Sequence, residues 1–139
     1  MDKIKLEFNI IGGDFINAGT ASSKVKKVLK QLGISPQIIK RTVIALYEAE
    51  VNIVAHADEG TITACVFEDR IALTLKDKGP GIAEIEKAMV EGFSTASKEV
   101  RNMGFGAGMG LSNIKKNADE FDIQSTVNEG TTLSIVTYF

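Results

Sequence analysis

The chain carries one cysteine, one histidine, two prolines and no tryptophan in 139 residues. A lone cysteine closes no internal disulfide, and a lone histidine has no second imidazole with which to share a metal. Long apolar runs are missing too: none approaches the ~20 residues that cross a bilayer. The opening Met1-Asp2-Lys3-Ile4-Lys5 lacks the apolar stretch of a signal peptide. No excess of one charge is present either, since 16 basic against 18 acidic residues leave a net charge of -2. Nothing global therefore draws the chain to nucleic acid or an anionic membrane. A cytoplasmic protein with neither partner is expected.

What is there is ordinary globular material, 44% hydrophobic and 24% charged. No repeat, low-complexity tract or linker divides it, so residues 1–139 read as one domain, long enough to bury a core. Ile4, Leu6, Phe8 and Ile10 alternate with Lys5, Glu7 and Asn9, the pattern of a half-buried strand. Gly12-Gly13-Asp14 and Asn17-Ala18-Gly19 read as turns. From Thr20 to Leu32, Val25, Val28, Leu29 and Leu32 recur at helical spacing, with four lysines on a solvated face. Gly33 supplies the helix stop, and Ser35-Pro36 the cap and first position of a long helix running to about Ala57. Thr61–Glu68 and Arg70–Lys76 read as a hairpin. Within the first of these, Cys65 is expected as a small core residue. A loop at Asp77–Gly81, a short helix from about Ala83 to Glu91 and a polar loop from Gly92 to Met103 follow. After the glycine-rich stretch comes a helix with Leu111, Ile114, Ala118 and Phe121 on its buried stripe. Strands Asp122–Val127 and Thr131–Tyr138 then flank the turn Asn128-Glu129-Gly130. The sum is an α+β protein: a two-layer sandwich with a mixed, mostly antiparallel sheet and helices packed on one face.

Three groups of residues carry candidate chemistry. Glu48 and Asn52 are four apart in an otherwise apolar helix and share a face, which His56 continues. A carboxylate and an amide so placed offer a base and an oxygen ligand for a hard cation; an exposed polar face accounts for the spacing equally well. His56 taken alone reads as a helix-end residue. Asp77-x-Gly79-x-Gly81 follows a strand: it is strong turn punctuation, and it also sets a carboxylate where it could accept from a base amino group, with glycines letting backbone approach the ring. Gly104, Gly106, Gly108 and Gly110 stand at a helix entrance, where backbone N–H groups can converge on an anion. The stretch matches neither a P-loop nor a dinucleotide fingerprint, and a flexible hinge is the alternative.

In this order, with Gly130-Thr131-Thr132 between the last strands, these motifs resemble the GHKL (histidine-kinase-like) ATPase superfamily. Within it they are most similar to the serine/threonine protein kinases of bacterial anti-sigma factor and stress-switch systems. The resemblance runs from Phe8 to the C-terminus. It implies the Bergerat-type ATP-binding fold, with ATP and Mg²⁺ as cofactors. It further implies that Glu48 is the catalytic glutamate orienting or deprotonating the attacking hydroxyl, and that Asn52 holds the Mg²⁺. Asp77 would read the adenine amino group, Gly79 and Gly81 would shape that wall, and Thr132 would support adenine through water. Gly104, Gly106, Gly108 and Gly110 would form the phosphate-binding stretch, while Lys98 and Arg101 lie in the lid and could neutralise phosphate charge.

The implied activity is ATP-dependent phosphorylation of a serine or threonine on a STAS-type, anti-sigma-antagonist-like partner. A sigma factor is a second candidate partner, and pairing of relatives through a sheet face or edge leaves a homodimer open. The glycine series and Asp119-Glu120-Phe121-Asp122-Ile123 look more like the switch-kinase branch than the anti-sigma branch. Two other functions stay open on the sequence: a non-catalytic ATP-gated module that binds a partner, and a simple ATPase.

Overall fold

The apolar alternation at the start of the chain does form a strand, β1 (Ile4–Ile11), whose even-numbered side chains pack inward and whose odd-numbered ones are exposed. The computed structural model describes residues 4–82 and 110–139. The expected helix 83–91, the polar loop 92–103, and with them Lys98, Arg101, Gly104, Gly106 and Gly108, lie outside the described residues. After β1 come α1 (Thr20–Gln31), α2 (Pro36–His56), β2 (Glu59–Val66) and β3 (Arg70–Lys78). The second described segment holds α3 (Gly110–Lys116), β4 (Glu120–Thr126) and β5 (Gly130–Tyr138).

The strands form one five-stranded sheet in the order β1-β2-β3-β5-β4, with every neighbouring pair antiparallel. The helices cover one face. There Leu29 of α1, Leu46 of α2 and Ile114 of α3 meet Ile62, Ile71, Leu73, Leu75 and Ile135 of the sheet, all fully buried. Each such side chain is worth about 1.5–3 kcal/mol of transfer free energy, so this seam holds the two layers together. This is the two-layer α+β arrangement expected from the sequence.

Local signals act where they should. Ser35 Oγ accepts from the Ile38 N–H ahead of Pro36, capping α2. Gly33 takes φ 74° just past the end of α1, where only glycine does so freely.

Four expectations need correction. Among the described strands the sheet is antiparallel at every pairing rather than mixed. Helix α3 ends at Lys116, so Ala118 and Phe121 pack on the core from beyond it, Phe121 as part of β4, which starts two residues earlier than expected. Cys65 is not in the core: it is half-buried, because β2 buries Gly60, Ile62, Ala64 and Val66 and turns the odd-numbered positions to the sheet's open face. Asp77 is not in a loop. β3 continues through Lys78 because Gly60 and Glu59 of β2, which starts two residues earlier than expected, keep pairing with Asp77 and Lys78.

Candidate functional site

Helix α2 is buried along most of its length, yet Glu48 and Asn52 on it are only half-buried. Among the described residues neither side chain has a hydrogen-bond partner, and spacing of four sets both on one face. The Asn52 amide rests against the backbone of Gly110, the first residue of α3. A Cβ there would lie 2.9 Å from Asn52 Nδ2 and 3.0 Å from Oδ1. Gly110 is thus the residue that lets α3 start against this face. His56, one turn on, is held below its ordinary pKa by burial.

At the end of β3 the Asp77 carboxylate points to the helix-covered side, half-buried. Its Oδ1 accepts from Thr131 N–H at 3.1 Å, while no described residue donates to Oδ2. Burial pushes its pKa up, and the Thr131 hydrogen bond pulls back in part. Gly60, its partner in β2, lies under Ile53 of α2, and Gly79 packs on Ala57 just past the helix: a Cβ at Gly79 would be 3.1 Å from Ala57 Cα. In this way the C-terminal end of α2, the helix that carries Glu48 and Asn52, abuts the Asp77 segment through its core-facing Ile53 and the following Ala57.

The segment from Asp77 to Ile82 is fastened to the β4–β5 hairpin at several points. Besides the Thr131–Asp77 bond, Asn128 N–H donates to Pro80 O at 2.8 Å and Ile82 N–H to Ser125 Oγ at 2.7 Å. Glycine is required on both sides of the seam. Gly81 has φ 72°, and a Cβ there would sit 2.3 Å from Thr126 O; Gly130 has φ 143°, and a Cβ would sit 2.0 Å from Asp77 O. The glycines expected to admit a ligand therefore first admit neighbouring backbone.

Asn52 and Gly110 are in contact; Asp77 and Gly79 share the other end; Gly81 serves the seam. Thr132 is not beside Asp77. It pairs with Lys76, and the two lie with Asn9, Thr61 and Gln124 in one row along a groove on the sheet's open face. The neighbour of Asp77 is Thr131, because strand alternation sends residues 131 and 132 to opposite faces.

Three participants were not singled out from sequence. Ser125 and Thr131 had a faint signal, polar residues at core-facing strand positions, Ser125 after Phe121 and Ile123 and Thr131 before Leu133 and Ile135. Glu50 had another: two residues from Glu48, it cannot share its face. Its carboxylate is fully buried and accepts from Gly19 N, Ala21 N, Ser22 N and Ser22 Oγ at the start of α1.

The structure thus sets a half-buried carboxylate four residues from an amide on α2 and holds a second carboxylate, Asp77, at the start of β5 through Thr131. Residues 14–137 match the family described as histidine kinase-like ATPase domain. The chain belongs to this family. It is 33% identical over 115 residues to the serine/threonine-protein kinase RsbT of Bacillus subtilis, the match covering 80% of each chain. It is 32% identical over 127 residues to an anti-sigma F factor of Caldanaerobacter subterraneus, over 88% of this chain and 85% of that one. Among solved structures, the SiaB-SiaC complex from Pseudomonas aeruginosa aligns with a TM-score of 0.66 over 95% of this chain and 88% of that chain. At 13% identity this is a likeness of fold. Among the described residues no helix is long and apolar enough to cross a membrane.

Proposed function

We propose that this chain binds ATP with Mg²⁺ and transfers the γ-phosphoryl group to a serine or threonine of a small STAS-type partner, in a bacterial sigma-factor or stress-switch pathway. The observation that carries the reading is the half-buried Glu48/Asn52 pair, without a hydrogen-bond partner among the described residues and with Gly110 seated on the amide, in a chain of this family. Kinship with proteins named serine/threonine-protein kinase and anti-sigma F factor supports the reaction and the pathway.

The residues fit such a ligand. Among the described ones no three His, Cys, Asp or Glu gather as a metal site. The Asn52 amide offers one oxygen to a cation, which would take others from phosphates and water, the habit of Mg²⁺ in phosphoryl-transfer sites. Bound Mg-ATP supplies the phosphoryl group and the charge neutralisation that its transfer needs. The protein's share is positioning. Glu48 orients the incoming hydroxyl and accepts its proton. Asp77 Oδ2 accepts from the base amino group, its Oδ1 being tied to Thr131. Gly110 would stand beside the phosphates; the motif adds Gly104, Gly106 and Gly108 as phosphate-binding residues and Lys98 and Arg101 as sources of positive charge, all five outside the described residues.

The test pairs binding with transfer. Calorimetric titration of Mg-ATP and Mg-ADP should give saturable binding to the wild type that Asp77→Asn loses. Labelled ATP with candidate STAS proteins should leave stable label on one of them. Glu48→Ala should abolish that labelling and keep nucleotide binding. Free phosphate without labelled protein would replace the kinase by an ATPase, and no binding to the folded wild type would end the nucleotide reading.

A further inference from the structure

We propose that Ser125 is a positioning residue that makes the Asp77–Thr131 corner an acceptor-only reader, and so selects a base bearing an exocyclic amino group. The proposal rests on the nucleotide-binding reading above and deepens it.

A serine hydroxyl has one proton to give and two lone pairs to offer. Ser125 Oγ has three partners: Ile82 N at 2.7 Å, Thr131 Oγ1 at 2.8 Å and Gly130 O at 3.1 Å. Ile82 N–H only donates and Gly130 O only accepts. One assignment satisfies all three contacts: Ser125 accepts from Ile82, donates to Gly130 O, and accepts the proton of the Thr131 hydroxyl. That proton is then committed. The Thr131 backbone N–H is committed too, to Asp77 Oδ1.

The consequence is chemical. With both Thr131 protons used internally, what Asp77 and Thr131 present to a ligand is oxygen lone pairs. A base edge carrying N–H, such as the 6-amino group of adenine, is satisfied there; an edge without a donor leaves half-buried acceptors unpaired, which costs affinity. Ser125 never touches the base in this scheme. It acts by fixing which way the Thr131 hydroxyl points, and by tying Ile82 to the hairpin that carries Thr131.

The experiment compares Mg-ATP with the triphosphate of purine riboside, identical except for hydrogen in place of the 6-amino group, by calorimetry. Wild type, Ser125→Ala and Ser125→Thr are each titrated with both. The wild type should prefer ATP by about tenfold or more, the scale of one hydrogen bond to a charged group. Ser125→Ala frees the Thr131 hydroxyl while Asp77 still accepts, so it should narrow that preference several-fold, weakening ATP more than the analogue. Ser125→Thr, which keeps the hydroxyl, should retain it. Equal weakening of both nucleotides by Ser125→Ala would reduce Ser125 to a structural role and overturn the proposal, as would no change in either. If the wild type binds ATP but not selectively, only this proposal falls. If it binds neither nucleotide, the nucleotide reading falls and takes this one with it.

Discussion

Glu50 Oε1 accepts hydrogen bonds from both the backbone N–H and the hydroxyl of Ser22, at 3.1 and 2.7 Å. Its Oε2 accepts from Gly19 and Ala21 N–H at 2.9 and 3.2 Å. The start of α1 has Gly19 as its cap and no side-chain cap of its own. A carboxylate from the middle of α2 thus serves as the cap in trans, its charge favourably placed at a helix N-terminus. Glu50→Gln keeps the shape but turns one acceptor oxygen into a donor facing donors. It should destabilise the fold by about 1–3 kcal/mol, the cost of an unsatisfied buried group. Urea denaturation would show it as a lower midpoint at unchanged slope; a midpoint equal to wild type would mean that the clamp contributes nothing.

That clamp also shows where sequence reading stops. The strands, the Ser35-Pro36 cap and the Gly33 stop were legible because their causes are local: alternation, helical spacing, one proline, one glycine. Glu48, Asn52 and Asp77 stand out in the sequence through the order of the motifs. Glu50 does not, since its partners stand 28 to 31 residues away. The sequence alone does not say whether Thr131 or Thr132 stands beside Asp77, because that is a matter of strand register, and one residue of register exchanges the faces of a sheet. Only the pairing of Thr132 with Lys76 decides it. Cys65 failed the same way: an apolar-looking strand does not say which of its alternating sets faces the helices.

Thr137 is the one described residue with a buried side-chain polar atom that lacks a partner; its Oγ1 sits at a fully buried position of β5. Thr137→Val keeps the shape and the β-branching while removing the unpaired hydroxyl. The variant should be more stable by about 1 kcal/mol, a rise in Tm of a few degrees for a domain of this size. A lower Tm would mean that the hydroxyl is satisfied in solution.

Gly110 separates stability from function. A methyl group at residue 110 would meet Asn52 Nδ2 at 2.9 Å, and the amide, the end of a movable side chain, would have to swing aside. Alanine favours the helix at that position by up to about 1 kcal/mol over glycine. Gly110→Ala should therefore leave the melting temperature equal or slightly higher, while weakening the Mg²⁺-dependent part of ATP affinity by about tenfold. Binding measured with and without Mg²⁺ isolates that part. If the variant keeps the full Mg²⁺ enhancement, Asn52 is not the residue that holds the cation.

Two half-buried groups give opposite pH dependences. Burial holds Asp77 above its ordinary 3.8, against the pull of Thr131 N–H. The folded state therefore binds this proton more readily than the unfolded one, and the group's contribution to stability falls as pH rises from that value through the raised one. Burial holds His56 below its ordinary 6.5. There the unfolded state binds the proton more readily, so stability falls as pH drops through 6.5 and levels off below the lowered value. Unfolding free energies from about pH 4 to 8 should show the Asp77→Asn variant gaining on wild type as pH rises at the acid end. His56→Gln should lose the decline that wild type shows on acidification from neutrality. Nucleotide affinity should follow Asp77 alone, weakening in acid as the carboxylate gains its proton, and Asp77→Asn should bind so weakly that no such titration remains. An acid limb that survived in His56→Gln stability curves would assign that decline to another group.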